Sequence, residues 1–99
     1  MDIKTNKNGN EFTVAPEGEI NILTAPELEA AINSGIDGIS LLTLDFSSCD
    51  YVSSAGLRVL LATFKTLKAN GAEMRFTNLG ENFTEVLRNT GLDAVFGIE

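Results

Sequence analysis

The N-terminal part of the chain has the hydrophobic pattern of two strands joined by a tight turn. Residues 1–7 predict an edge strand, and residues 11–15 predict a second strand. Between them, Asn8, Gly9 and Asn10 favour a hairpin turn, because Asn and Gly accept a positive φ. Pro16 is expected to interrupt the second strand, which resumes over residues 18–20.

A first helix is predicted to begin after Thr24. The Thr24 hydroxyl is expected to accept from an early backbone N–H while Glu27 reaches back, so that the two form a capping box. Pro26 falls in the first turn, where proline is tolerated. The inner face of this helix then has three apolar residues at helical spacing: Leu28, Ala31 and Ile32.

The middle of the chain predicts a buried strand followed by a long helix. Residues 40–46 are almost continuously apolar, which predicts a central strand covered on both faces. The helix after it has an apolar stripe formed by Leu57, Leu60, Leu61, Phe64 and Leu67. Arg58 and Val59 are predicted on its opposite, exposed side. Residues 72–77 predict a further strand.

The C-terminal quarter predicts a third helix and a short closing element. The helix is expected from residue 80 or 81 to residue 89, with Phe83, Val86 and Leu87 facing inward. Residues 95–98 predict a short last strand or a packed tail. This alternation of strands and helices predicts a small α/β domain in which helices pack on a mixed sheet of four to five strands.

Length and composition limit the function further. The 99 residues suit one domain, spanning residues 1–99. The formal net charge of -7 argues against binding of nucleic acid and adsorption to an anionic membrane, because both need clustered Lys and Arg. Cys49 is the single cysteine, so a reducing cytoplasm without an internal disulfide is expected. No stretch has the pattern of a secretion signal or a membrane span.

Two hydroxyls precede the long helix in DYVSSAGL, residues 50–57, which we call the serine loop. Ser53 has the position of a helix N-cap, worth about 1 kcal/mol, and Gly56 would permit close packing. A serine nucleophile needs a base, and the chain contains no histidine. The residue patterns of zinc sites and of glycine-rich phosphate loops are also missing from the sequence, so no metal and no cofactor are expected.

Phosphorylation is the other chemistry that the serine loop allows. A phosphate at a helix N-terminus meets free backbone N–H groups and the positive end of the helix dipole. It also brings a charge of about −1.5 to −2. An unpaired charge in a partner's interface costs about 2–5 kcal/mol, enough to end an association while the domain stays folded. The residues by themselves leave capping and phosphorylation open.

Ordered blocks of sequence resemble a known family. Residues 42–76 read LTLDFSSCDYVSSAGLRVLLATFKTLKANGAEMRF, preceded by GEINILTAPELEAAI and followed by FTEVLRNTGLDAVFGI. The apolar strand ending in Asp45, the loop, the Ser-Ala-Gly-Leu helix start, the glycine after that helix and the closing TGLDAVF occur in one order. Together they resemble the STAS domain of bacterial anti-sigma factor antagonists, over nearly the whole chain.

The resemblance implies a protein that switches between partners. In its unmodified form such a domain binds an anti-sigma factor that is also a serine kinase, and thereby frees a sigma factor for transcription. The kinase phosphorylates a loop serine with ATP and the complex dissociates, until a serine phosphatase restores the binding form. A regulator is therefore expected rather than an enzyme.

The family's loop pattern, Asp-Ser-Ser/Thr/Ala-Gly-Leu with phosphate on the first serine, assigns the phosphorylation to Ser54. Ser53 replaces the usual Asp and is a minor alternative site, and Asn21 stands where the family often has Asp. The expected partner-binding residues are Asn21, Asp45, Ser53, Ser54, Ala55, Gly56 and Arg58. Because Asn21 and Ser53 both depart from the family's usual Asp, there is a second hypothesis. In it the chain is a non-phosphorylated STAS scaffold or ligand-binding module of a transporter, lipid-transfer or signalling complex.

Overall fold

The computed structural model describes residues 1–98 of the chain. Its strands are β1 (Asp2–Asn8), β2 (Glu11–Glu17), β3 (Glu19–Ile20), β4 (Leu41–Asp45), β5 (Tyr51–Val52) and β6 (Glu73–Thr77). Its helices are α1 (Ala25–Asn33), α2 (Ser54–Ala69), α3 (Glu81–Thr90) and α4 (Leu92–Phe96). One mixed sheet has the order β1-β2-β4-β6, with β1 antiparallel to β2 and the other pairs parallel. The predicted α/β fold with a mixed sheet of four to five strands is confirmed, and the sheet has four strands.

The hydrophobic core lies between this sheet and the helices. Phe12 lies beside Leu42 and Val14 beside Leu44, and all four side chains are buried. The helices contribute the buried residues Leu28, Ile32, Leu57, Leu60, Leu67, Phe83 and Leu87. On the other face of β4, alternate residues stay half-buried: Leu41, Thr43 and Asp45. The prediction that this strand is covered on both faces is therefore wrong, because the helices cover one face.

The hairpin of β1 and β2 forms as predicted, with Gly9 at φ 63° in its turn. Pro16 does not interrupt β2 but lies inside it, opposite Ile3 of β1. The parallel pairing with β4 ends at Val14. At Pro16 the strand therefore has a neighbour on one side, and a missing N–H is tolerated there. The expected continuation over residues 18–20 is a separate strand, β3, which pairs with β5.

Helix α1 begins where predicted, but its capping box does not form. Thr24 has helical angles (φ −95°, ψ −18°) rather than the extended angles of a side-chain N-cap. Its hydroxyl instead donates to the Glu19 carbonyl at 2.7 Å and accepts from the Asn21 N–H at 2.8 Å. Glu27 pairs with the N-terminal amino group of Met1 at 3.2 Å. The capping-box prediction is wrong because both side chains have other partners.

Two predictions for the helices need correction. Val59 was expected on the exposed side of α2 but is only 8% exposed, because α1 packs against that side of α2. Arg58 is exposed as predicted. Residues 95–98 do not form a strand, since Gly91, at φ 77°, leads from α3 directly into the short helix α4. The alternative of a packed segment is confirmed at Phe96, whose ring lies 5.4 Å from that of Phe64.

Candidate functional site

The serine loop is positioned by the short parallel pair of β3 and β5. Ile20 lies beside Val52, and the Ser53 N–H donates to the Ile20 carbonyl at 2.8 Å. Asn21 and Ser53 therefore follow the ends of two adjacent strands, and α2 begins at the next residue, Ser54. The structure thus brings together two predicted site residues, Asn21 and Ser53, that lie far apart in the sequence.

Ser53 and Ser54 have different roles in the structure. Ser53 has the extended angles of an N-cap (φ −89°, ψ 174°), and its Oγ accepts from the Gly56 N–H at 3.4 Å. The capping prediction is therefore confirmed for Ser53. Ser54 is the first helical residue, its side chain is exposed, and none of the side-chain hydrogen bonds found within residues 1–98 involves its hydroxyl. Of the two residues, Ser54 is the more exposed, while Ser53 is half-buried.

Gly56 allows the first turn of α2 to lie directly on the β3–β5 pair. A Cβ atom at this position would lie 2.5 Å from Ile20 Cγ2 and 2.6 Å from Val52 Cγ2. Real Cβ atoms do not approach other carbons so closely, so a side chain here would push the helix away from both strands. Gly56 thus fixes the height of the serine loop above the core, which is the packing role that the sequence suggested.

Exposed apolar side chains lie within the serine loop and in the turn after β3, and they were not predicted as site residues. Ile22 is 76% exposed and Leu23 is 80% exposed in the turn between β3 and α1. Tyr51, in β5, is 45% exposed. Ile22 also lines a groove of about 410 Å³ between α1 and α2 together with Ala55, Arg58 and Val59. The sequence feature that could have indicated them is that Ile22 and Leu23 are adjacent apolar residues that fit neither the pattern of a strand nor that of a helix.

Asn21 holds this turn in shape. Its Oδ1 atom accepts from the Leu23 N–H at 2.9 Å and from the Thr24 N–H at 3.0 Å. These bonds close a local turn of the kind in which Asn and Asp side chains are favoured. An Asp would accept the same two bonds, so the amide in this chain keeps the turn without adding a negative charge beside Ser54.

The hydrogen-bond partners of Asp45 are not residues of the serine loop. Its Oδ1 atom accepts from the Ser47 N–H at 3.0 Å and from the Asn78 Nδ2 amide at 3.0 Å. The Asn78 amide and the Ser47 N–H lower the pKa of the Asp45 carboxyl below its ordinary value, because they stabilise the charged form. The hydrogen bonds of Asp45 thus join the end of β4 to the turn after β6.

The described residues around the serine loop form no metal site, and the nearby Cys49 thiol is buried. In the described part of the chain, residues 1–98, no three His, Cys, Asp or Glu side chains come close enough to hold a metal. Cys49 is buried beneath the loop, and its burial raises the pKa of the thiol, so it is not a reactive thiolate. Over the same residues, no helix is long and apolar enough to cross a membrane.

Comparison with known proteins gives one consistent result. The family model for the STAS domain matches residues 2–99. The anti-sigma-B factor antagonist of Bacillus subtilis (strain 168) is 30% identical over 98 residues, which are 99% of this chain and 88% of that protein. The putative anti-sigma factor antagonist BtrV of Bordetella bronchiseptica is 34% identical over 99 residues, covering 99% of this chain and 85% of BtrV.

Solved structures agree with these sequence matches. An anti-sigma factor antagonist from Mycobacterium paratuberculosis superposes with a TM-score of 0.82 at 30% identity, covering 98% of this chain and 83% of that one. The anti-sigma factor antagonist SpoIIAA in its unphosphorylated form has a TM-score of 0.80 at 16% identity, covering 99% of each chain. SpoIIAA of Bacillus in the phosphorylated form has a TM-score of 0.75 at 16% identity, covering 94% of this chain and 86% of that one. The two SpoIIAA structures support the fold alone.

Proposed function

Because the chain belongs to the STAS domain family, we propose that it is an anti-sigma factor antagonist that switches between partners. Unmodified, it binds an anti-sigma factor with serine kinase activity and so releases a sigma factor. The observation that carries the proposal is the match, over nearly its full length, to two relatives named as antagonists. The family match from residue 2 to residue 99 supports treating the chain as one such domain.

We assign the switch to the hydroxyl of Ser54. The kinase transfers the γ-phosphoryl group of ATP to Ser54 Oγ: an Oγ–P bond forms, the bond from the γ-phosphorus to the bridging oxygen breaks, and ADP leaves. A base of the kinase takes the hydroxyl proton. The exposure of Ser54 supports this assignment, since the neighbouring Ser53 hydroxyl already caps the helix. The product carries about −1.5 to −2 charge beside the first free N–H groups of α2.

The surface around Ser54 fits a partner that covers apolar side chains. Ile22, Leu23 and Tyr51 are exposed on the strands and turn beside it, and Arg58 lies one helical turn further along α2. Exposed apolar residues grouped in this way are typical of binding surfaces. A phosphate enclosed within such a contact would lose its solvating water and have no opposite charge beside it, which costs about 2–5 kcal/mol of binding free energy.

In this proposal a serine phosphatase removes the phosphate and restores the binding form. The chain is the substrate of both enzymes, and no residue of its own is assigned a catalytic role. The kinase's ATP and the transcription machinery are both found in the cytoplasm, which is therefore the proposed location.

The test uses the anti-sigma factor kinase with ATP, followed by mass spectrometry of peptides covering residues 50–58. Phosphate on Ser54 is expected, and Ser53→Ala should not prevent its addition. In calorimetry without ATP, Ser54→Asp should weaken binding of the kinase at least about thirtyfold, while Ser54→Ala binds like the wild type. Phosphate on Ser53 alone, or equal affinity of the two Ser54 variants, would reject the proposed switch.

A second candidate is a STAS module that is not phosphorylated and serves as a scaffold or ligand-binding part of a transporter, lipid-transfer or signalling complex. It is favoured by Ser53 and Asn21, which replace acidic residues of the family's usual pattern. Affinity capture with the wild type separates the two candidates. Recovery of a transporter or lipid-transfer subunit, without a kinase, would favour the scaffold.

A further inference from the structure

We propose that two copies of this chain associate through the outer edge of β6, with the two β6 strands antiparallel and Met74 at the twofold axis. β6 is the last strand of the four-stranded sheet, and within residues 1–98 no strand pairs with its outer side. An unpaired strand edge is a template for another strand. This inference goes beyond the function proposed above, since β6 lies beside the C-terminal half of α2 rather than the serine loop.

The backbone of β6 offers free hydrogen-bonding groups at this edge. The Glu73 N–H donates to the Ser40 carbonyl at 2.9 Å, and the Thr77 carbonyl accepts from the Phe46 N–H at 3.0 Å. Glu73 and Thr77 therefore direct their backbone groups toward β4. Because these directions alternate along a strand, Met74 and Phe76 direct their N–H and C=O groups outward. Two donors and two acceptors thus face away from the sheet.

The charges on β6 select one register for a second copy. Three antiparallel registers keep each face of the sheet intact and pair at least three residues of β6 with the second copy; they centre on Met74, Arg75 or Phe76. Centring on Arg75 opposes two guanidinium groups, and centring on Phe76 opposes Arg75 with Thr77. Centring on Met74 places each Glu73 opposite the partner's Arg75, which is an attractive cross-strand pair. Both side chains are exposed, and neither takes part in a salt bridge within residues 1–98.

The Met74 register also pairs the outward backbone N–H and C=O groups and covers apolar side chains. The two Met74 residues would exchange a pair of N–H···O=C bonds, as a hydrogen-bonded pair does in an antiparallel sheet. Met74 and Phe76 are only half-buried and line a groove of about 670 Å³ on the helix side of the sheet, together with Phe64 and Phe96. A second Met74 beside this groove would cover apolar surface that now contacts water.

The opposite edge of the sheet does not offer the same features. Six of the seven residues of β1 are exposed, and all six are polar. Lys4 of β1 already pairs with Glu17 at 3.3 Å. A strand edge that is polar on both sides gives a second copy little apolar surface to cover. We therefore assign the association to β6 and use β1 as the control edge.

The first test exchanges the charges and measures the association by sedimentation equilibrium. Glu73→Arg and Arg75→Glu, each alone, should raise the dissociation constant of the dimer at least about tenfold, because each places two like-charged pairs across the axis. The double variant restores opposite charges and should return to within about threefold of the wild type. The control Lys4→Glu should leave the constant unchanged.

The second test is a cross-link that requires the Met74 register. In a hydrogen-bonded antiparallel pair the Cα atoms lie about 5.5 Å apart, within the range of a disulfide. Met74→Cys should therefore form a covalent dimer under mild oxidation, and the control Lys4→Cys should not. A wild type that stays monomeric up to about 1 mM would overturn the proposal. A dimer whose dissociation constant does not change when the charges are exchanged would also overturn it. The same holds if the β6 edge binds an unrelated extended peptide but not a second copy of the chain.

Discussion

At the scale of single residues, Gly56 determines how closely α2 approaches the strands beneath it. Helix propensity by itself predicts that Gly56→Ala stabilises the protein by about 0.5–1 kcal/mol. The contacts predict the opposite sign, since the new Cβ would lie 2.5 Å from Ile20 Cγ2 and 2.6 Å from Val52 Cγ2. We expect a loss of about 1–3 kcal/mol in the free energy of unfolding, measured by urea denaturation.

The same prediction has an internal control in Val52. In a Val52→Ala background one of the two opposing methyl groups is gone, so Gly56→Ala should cost less than it does in the wild type. A Gly56→Ala protein as stable as the wild type would show that α2 can move away from β3 and β5 without cost. In that case the height of the serine loop would not be set by this glycine.

At the scale of elements, Asp45 joins the end of β4 to the turn after β6 through the Asn78 amide, 3.0 Å away. The pKa of Asp45 is lowered from 3.8 in the folded state. Its contribution to stability is therefore present above that pH and is lost as the pH falls through the folded pKa. A carboxyl carbon titration by NMR should give a pKa below 3.8 for Asp45.

The control for that titration is Asn78→Gly, which removes the amide donor. Asn78 has a positive φ of 57°, so glycine keeps the backbone unstrained where alanine would not. The pKa of Asp45 should rise in this variant, because the first of its stabilising hydrogen bonds is gone. An unchanged pKa would mean that the Asn78 amide does not contact the carboxylate in solution.

Element types were predictable where apolar residues recur with a clear period, as in α2 and β6, or form an almost continuous run, as in β4. What the sequence could not reveal depends on neighbours in space. Pro16 stays in its strand because β4 has already ended beside it, and Val59 is buried because α1 lies against α2. Thr24 and Glu27 have the residue types of a capping box, but their partners come from Asn21, Glu19 and the N-terminus.

At the scale of the whole molecule, topology assembles the candidate site. The resemblance to a family pointed to Asn21 and Ser53, yet no local pattern indicated that they are neighbours, because β3 and β5 have only two residues each. Two residues are too few to show the alternating apolar and polar pattern by which a strand is recognised. Ile22 and Leu23 were missed for a related reason: two adjacent apolar residues in a turn do not by themselves tell whether the core covers them, and the fold leaves both exposed.

Phosphorylation of Ser54 is expected to change the molecule's charge while its architecture stays the same. The net charge falls from −7 to about −9, which adds some repulsion across the chain. Against this, the phosphate lies at the N-terminus of the 16-residue helix α2, where a negative charge gains about 0.3–1 kcal/mol. The free energy of unfolding of the phosphorylated protein should therefore lie within about 1 kcal/mol of the unmodified value in urea denaturation.

The same sample distinguishes a local charge effect from a change of fold. In amide NMR spectra, phosphorylation should shift resonances of residues 50–58 and of the neighbouring turn at 20–24, and treatment with a phosphatase should reverse the shifts. Asp45 and Asn78 provide the internal reference, since their hydrogen bond lies at the end of β4 rather than at the serine loop. Shifts spread through β1 and β6, or a loss of several kcal/mol in stability, would mean that the phosphate acts by unfolding the domain rather than by its charge.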